Sequence, residues 1–383
     1  MGGDTIILRV CFFGTYDSNY PGNRVLIEGL RRHGVDVIEC HVALWEKSPV
    51  KESRYFGLRS LVKLFARYIV DMGKLYARAV SLPTCPVIIT GFSGYLDLPL
   101  AKSIAQIWKS KLIFNPMMSI YDTLVLDRQL FPQGTLMARL ILWLERFLYI
   151  IPDVLLVDSR IHYQFFADYL KCPWSKFRML PFGVDDHLFY PRQQIRSDGY
   201  FQVLFYGKYQ PLQGIITIIE AAKQLEYDSE IRFLVIGYGP TWYEVQQRAQ
   251  ELDVRNVHFV KWVEFEQLPQ VISQADICLG IFGMSDKVDR CIANKVIQSL
   301  AMRKAVVTGY TKAMGEILND REQVLFCERG NPKALAQAII ELKQNADLRD
   351  KIAVQGYEAF RQYFSPLAIG ALARHYLEEM IQS

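Results

Sequence analysis

The sequence predicts an α/β protein made of two Rossmann-like, doubly wound domains in tandem. Three observations carry this expectation. The 383 residues suffice for two domains of about 150 residues each. Short apolar β-runs alternate with amphipathic helical stretches in both halves, as a parallel sheet with crossover helices requires. Each half also opens alike, with a strand, a glycine turn and a helix, first at Ile7 to Phe13 with Gly14-Thr15 and again at Gln202 to Tyr206 with Gly207.

In the first half, Pro21-Gly22-Asn23 leads into a helix from Arg24 to His33, and Gly34 ends it. A strand follows at Asp36–His41, with others at Pro86–Thr90, Lys111–Phe114, Val154–Val157 and Phe177–Met179. Helices fit around Leu98–Ser110, Leu136–Ile150 and Arg160–Leu170. After a polar linker, Pro191 to Gly199, strands fit Arg232–Ile236, Val257–Lys261, Ile277–Gly280 and Ala305–Thr308. Helices fit Ile215–Leu225, Trp242–Leu252, Phe265–Ser273, Ala293–Met302 and Pro332–Asn345. A helix from Asp347 to Tyr363 is broken by Ser365-Pro366 before a last helix, Leu367–Met380. The expected domains are 1–190, 191–365 and a C-terminal helical segment 366–383.

Composition narrows the function. Hydrophobic residues make up 51% and charged residues 22%, which suits full globular cores. A net charge of +4, with no basic stripe interleaved with stacking aromatics, argues against nucleic acid as a partner. The seven cysteines form no C-x-x-C pair, and several lie in apolar runs, so they read as reduced core residues of a cytoplasmic protein. The six histidines have no metal-ligand spacing. The N-terminus lacks a signal-peptide layout. The apolar run Leu140–Val157 is interrupted by Glu145, Arg146, Pro152 and Asp153, which spoils a membrane span.

Several stretches in order resemble the glycosyl transferases group 1, family GT4. They are Leu180-Pro-Phe-Gly-Val-Asp185 with Phe189-Tyr-Pro191, Gly207-Lys-Tyr-Gln-Pro-Leu-Gln-Gly214, Ile236-Gly-Tyr-Gly239, Val257 to Val263, Ala275-Asp-Ile277, and Asn294 to Thr308. The resemblance covers about residues 150–365; the first 150 residues match in layout only. It implies a GT-B fold, two Rossmann-like domains facing across a cleft, with the nucleotide-sugar donor on the C-terminal domain and the acceptor on the N-terminal one. It further implies that the last helix crosses back to the first domain.

Candidate site residues follow from the loops. Gly207 and Lys208 lie where a strand gives way to a helix, and backbone N–H groups there with a lysine form an anion site. The family places a second lysine where this chain has Gln213. Gly14 and Thr15 occupy the matching turn of the first domain, where glycine permits close backbone approach. The family's two glutamates, for donor sugar and ribose, fall by alignment on Arg290 and Gln298. With Lys287 and Lys295, and Asn294 at the helix start, Arg290 makes a cationic cluster suited to a diphosphate. Trp262 and Val263 would hold the base through main-chain hydrogen bonds. In the first domain, Asp122 is the carboxylate expected to orient or deprotonate an acceptor hydroxyl, and a structural loop aspartate is the plainer alternative.

The resemblance implies sugar transfer from a nucleotide-sugar donor to an acceptor hydroxyl with retention, without a metal or other cofactor. The alternatives are a GT-B nucleotide-sugar epimerase and a degenerate protein that binds without catalysis. The acceptor is open, with a lipid-linked one suggested by the basic and aromatic segment Arg54–Arg78. That segment would bring the protein to the inner face of a membrane.

Overall fold

The computed structural model describes residues 8–44, 58–192 and 199–382. The chain divides into two compact units, Met1–Gly183 together with Pro366–Ser383, and Val184–Ser365. The division falls before the expected 190/191 boundary. The reason is that Val184 N donates to Phe364 O at 3.0 Å and Phe189 packs edge-on to Phe265 at 5.5 Å, both within the second unit.

The first unit contains β1 (Arg9–Gly14), α1 (Pro21–Arg32), β2 (Asp36–His41), α2 (Leu58–Ser81), β3 (Val87–Thr90), α3 (Leu98–Trp108), β4 (Lys111–Phe114), α4 (Leu136–Ile150), β5 (Val154–Val157), α5 (Arg160–Leu170) and β6 (Phe177–Met179). Among the described residues its strands form one parallel sheet in the order β2-β1-β3-β4-β5-β6. Residues 10–14 of β1 are buried without a polar break, because helices cover both faces of such a sheet. Cys11 and Phe13 point into one core, Val10 and Phe12 into the other. Local chemistry sets the helix ends. Pro21 opens α1, Thr135 and Ser159 cap α4 and α5, and Gly34, at φ +73°, ends the turn after α1.

The second unit contains β7 (Phe201–Tyr206), α6 (Ile215–Gln224), β8 (Ile231–Ile236), α7 (Trp242–Glu251), β9 (Val257–Val260), α8 (Leu268–Ser273), β10 (Ile277–Leu279), α9 (Asp286–Asp289), α10 (Asn294–Ala301), β11 (Ala305–Gly309), α11 (Lys312–Gly315), β12 (Leu325–Cys327), α12 (Pro332–Gln344) and α13 (Ala346–Ala359). Its parallel sheet runs β12-β11-β10-β7-β8-β9, the Rossmann order read from the opposite edge. The helix expected to reach Tyr363 stops at Ala359. A π-type turn, Phe360–Phe364, continues it to Ser365. The short β12 was not expected from sequence, since three residues give no periodicity to read.

The last helix, α14 (Pro366–Gln382), belongs to the first unit. Ile369, Ala373 and Leu377 share a core with Leu26 and Leu30 of α1. A Cβ on Gly370 would stand 2.0 Å from Gly29 O, so two glycines let the helix backbones touch. His33 and Leu367 O, 2.7 Å apart, fix the start of the helix.

Candidate active site

In open parallel sheets, ligands collect beyond the carboxyl ends of the strands, where the strand order changes direction. In the second unit that point lies between β7 and β10. Gly207 leaves β7 at φ +148°, and a Cβ there would stand 2.8 Å from Lys295 Nζ. Lys295, in the first turn of α10, is only 7% exposed. Its ammonium donates to Gln213 Oε1 and sits 3.7 Å above the Phe205 ring. Tyr206 steadies that turn by donating to Lys295 O at 2.9 Å. Burial holds the Lys295 ammonium well below the ordinary lysine range. Among the described residues no carboxylate pairs with it, so the cation is stored where an anion would relieve its desolvation.

The surrounding turns are stitched to this point by backbone. Phe282 N donates to Gln213 O and Gly283 N to Leu212 O, at 3.0 and 3.1 Å. Gly237 packs so tightly that a Cβ would meet Gly207 O at 1.9 Å. The structure thus brings Gly207, Gln213 and Lys295 together. Lys208 is exposed on the same turn, and Asn294 is exposed at the start of α10. Gln298 is buried one turn further along α10. Lys287 and Arg290 lie half-buried on and just after α9. Next to them Asp289 pairs with Arg329 at 3.0 Å and with Lys312 at 3.7 Å, so acidic charge is mixed into the expected cationic cluster. Trp262 is exposed beyond β9, with its indole N–H on Glu264 at 3.0 Å, and Val263 beside it is half-buried.

In the first unit the change of direction lies between β1 and β3. Gly14 takes φ +130°, and Thr15 gives both its N–H, at 2.5 Å, and its hydroxyl, at 3.0 Å, to the Asp97 carboxylate. Asn23 joins the same two loops, accepting from Phe92 N at 3.0 Å and donating to Asp17 O at 2.9 Å. Asp122 sits in a π-type turn, Asp122–Asp127, buried and with its N–H on Ser119 Oγ at 3.0 Å. Sequence reasoning missed what holds that loop. Glu145 of α4 accepts from Ser119 Oγ, Ile120 N and Tyr121 N at 2.7–2.8 Å. Beyond β5, His162 Nδ1 lies 2.6 Å from Asp158 in a second buried polar pair.

Asp97 was also unnoticed, although an aspartate just before Leu98-Pro99 is a helix-start signal. Burial pushes its carboxyl up to about 6, against the two Thr15 hydrogen bonds that favour ionisation. A raised carboxyl means the fold keeps a proton that the unfolded chain has released. The stability involved is therefore present below about pH 4 and lost as pH rises through about 6. Denaturant titrations should show wild type losing roughly 3 kcal/mol relative to Asp97→Asn across that window. Parallel stability curves for the two proteins would overturn this.

The segment Arg54–Arg78 is described only in part. Arg54 and Phe56 lie outside the described residues. On α2, Arg67 donates to Ala43 O at 2.9 Å, Lys74 lies 2.7 Å from the buried Asp71, and Arg78 donates to His41 O. These three bases turn to their own unit, because Asp71 and the backbone beyond β2 satisfy them. Arg67 and Lys74 nonetheless keep exposed side chains, at 43% and 56%. No described helix is long and apolar enough to cross a membrane.

A pair of such Rossmann-like units is the fold of the GT-B glycosyltransferases. Sucrose-phosphate synthase from Thermosynechococcus elongatus superposes with a TM-score of 0.73 over 98% of this chain and all of its own, at 17% identity. Anabaena HepE, solved with UDP-glucose, gives 0.67 over 97% of this chain and all of its own, at 14% identity. Residues 188–359 match the family model of the glycosyl transferases group 1, and the second unit therefore resembles that family in sequence as well as in fold. The phosphatidyl-myo-inositol mannosyltransferase of Mycobacterium leprae is 26% identical over 178 residues, 45% of this chain and 46% of that protein. The putative colanic acid biosynthesis glycosyl transferase WcaI of Escherichia coli is 26% identical over 156 residues, 39% and 38% of the two chains. The chain spans less than half the length of the curated relatives it matches.

Proposed function

We propose that this protein is a glycosyltransferase of the GT4 type, taking a nucleotide-sugar donor on its second unit and an acceptor hydroxyl on its first. The observation that carries the reading is Lys295, a buried ammonium aimed at the glycine turn Gly207 where the sheet changes direction. Fixed positive charge at that place stabilises a leaving diphosphate as its negative charge develops. Lys208, Lys287 and Arg290 are assigned to the same diphosphate, with no metal. The acceptor oxygen bonds to the anomeric carbon, the bond from that carbon to the diphosphate oxygen breaks with its electron pair going to that oxygen, and the hydroxyl proton passes to the Asp122 carboxylate. Retention of configuration belongs to this reading through the family resemblance, and a cytoplasmic setting through the unpaired cysteines in apolar runs. HepE, a structural neighbour, was solved with UDP and with UDP-glucose, which favours a uridine donor as the first to try.

Calorimetry with nucleoside diphosphates and nucleosides tests the site. Lys208→Ala should weaken diphosphate binding about tenfold and leave nucleoside binding nearly unchanged, because it removes one charge-assisted contact. Equal losses for both ligands would place Lys208 outside the phosphate site. Turnover of donor without any acceptor would favour an epimerase, and binding without turnover a degenerate binder.

A further inference from the structure

Helix α4 presents an apolar stripe to solvent. Leu136, Leu140, Trp143, Phe147 and Ile150 follow one another at intervals of four, three, four and three residues, which places them on one side of a helix. All are exposed, Leu136 by 85%, Trp143 by 63% and Ile150 by 61%. Met137 and Leu144, also exposed, widen the stripe on one flank, and Leu130 extends it ahead of the helix. Trp143 and Phe147 stack on each other, 6.1 Å apart, rather than on the core. A contiguous apolar face of this size on a folded protein marks something that covers it.

Its charges indicate what. The exposed charged residues of segment 128–150 are Arg128 and Arg139. The helix's one acid, Glu145, faces inward on Ser119 and the backbone of the 115–123 loop. Half-buried Arg146 lies on the same flank as Arg139 and holds Tyr169 O at 2.8 Å, while Lys171 is exposed at the end of α5. The outer face is thus apolar and aromatic with a mainly cationic margin, Arg128, Arg139, Arg146 and Lys171 against the one exposed acid Asp168. We propose that α4 docks the first unit onto an anionic lipid bilayer, lying in the plane of the interface with the Leu136–Ile150 stripe immersed. Fifteen residues span about 22 Å, short of the roughly 30 Å hydrocarbon core, and the inward carboxylate rules out insertion end-on. Aromatic and aliphatic side chains over an arginine flank suit the interface, where burial and charge act together.

A second copy of the chain is the rival occupant, since the four-three spacing also suits a helix pair. Two heptads of such a seam fall short of the three or four a coiled coil needs. Trp143 and Phe147 are poor knobs for one, and the band is wider than a narrow seam. The inference rests on α4 alone and stands apart from the donor site.

The test is vesicle co-sedimentation of the full chain without nucleotide, using phosphatidylcholine vesicles with and without phosphatidylglycerol. Wild type should bind the anionic vesicles, and brominated lipid should quench its tryptophan emission, with that quenching diminished in Trp143→Phe. Leu140→Gln with Phe147→Gln should reduce partitioning at least about tenfold. Arg139→Glu should reduce it on anionic vesicles only. Both changes are on the surface, and an unchanged Tm and unchanged nucleotide affinity confirm that fold and donor site persist. Wild type that ignores vesicles overturns the proposal, as does binding indifferent to the Leu140 and Phe147 changes. If those changes instead convert a dimer to a monomer in sedimentation, the stripe is an interface between copies and the proposal also fails.

Discussion

Lys295→Met is expected to abolish donor binding while making the empty protein more stable. The ammonium is buried against Phe205 and Gln213 with no carboxylate beside it, so its desolvation is offset only in part. Replacing it with a methionine of similar length removes that cost, worth about 1–3 kcal/mol of stability at neutral pH. The sign follows from proton linkage. A lysine depressed by burial binds fewer protons in the fold than in the unfolded chain, so its destabilising effect grows as pH falls through its folded value and disappears above the ordinary lysine range. The diphosphate loses its nearest buried cation at the same time, and affinity should fall about a hundredfold or more. Thermal denaturation with and without nucleoside diphosphate reads both effects in one experiment. A destabilised variant that still binds would mean that Lys295 is a structural prop.

Glu145→Ala should be the most damaging single change in the first unit. Three donors, Ser119 Oγ, Ile120 N and Tyr121 N, converge on one carboxylate, and truncation leaves them facing a cavity. Burial raises its pKa despite those three hydrogen bonds, which shows how dry the position is. Stranding three buried donors costs about 3 kcal/mol or more. Urea denaturation of the variant measures this, and a loss under about 1 kcal/mol would mean the loop finds other acceptors. The same loop carries Asp122, so nucleotide binding on the second unit should be unaffected while any acceptor-dependent turnover falls.

These two residues also show how far the sequence could be read. Continuous apolar strands and glycine-bounded helices made the two sheets legible, and Leu136–Ile150 and Arg160–Leu170 have the ends expected of them. Periodicity reports which face of a helix is apolar, and a Rossmann unit is little more than that pattern repeated. Gly207 and Gly14 were legible because a turn at a strand's end has few alternatives. Glu145 was visible only as a break in an apolar run. That it faces inward while Leu136, Trp143 and Phe147 face outward inverts the usual reading of such a helix, and nothing in the local pattern announces the inversion. The pairing of Thr15 with Asp97 spans 82 positions, and that of Lys295 with Gln213 likewise 82, distances over which spacing carries no information. On α2, charge content alone says nothing about whether a partner such as Asp71 lies one turn away.

The contact of Gly29 with Gly370 bears on how the chain is made. The first unit is interrupted in sequence by the whole of the second, and α14 reaches its place on α1 only after Val184–Ser365 has been synthesised. Growing from the ribosome, the chain must therefore carry the α1 surface around Leu26 and Leu30 uncovered while Val184–Ser365 emerges and folds. The second unit, continuous in sequence, is free to mature first, and the earlier-made unit closes last. Until α14 arrives, the first unit thus keeps an open apolar seam along α1 while the second unit already has all of its sequence.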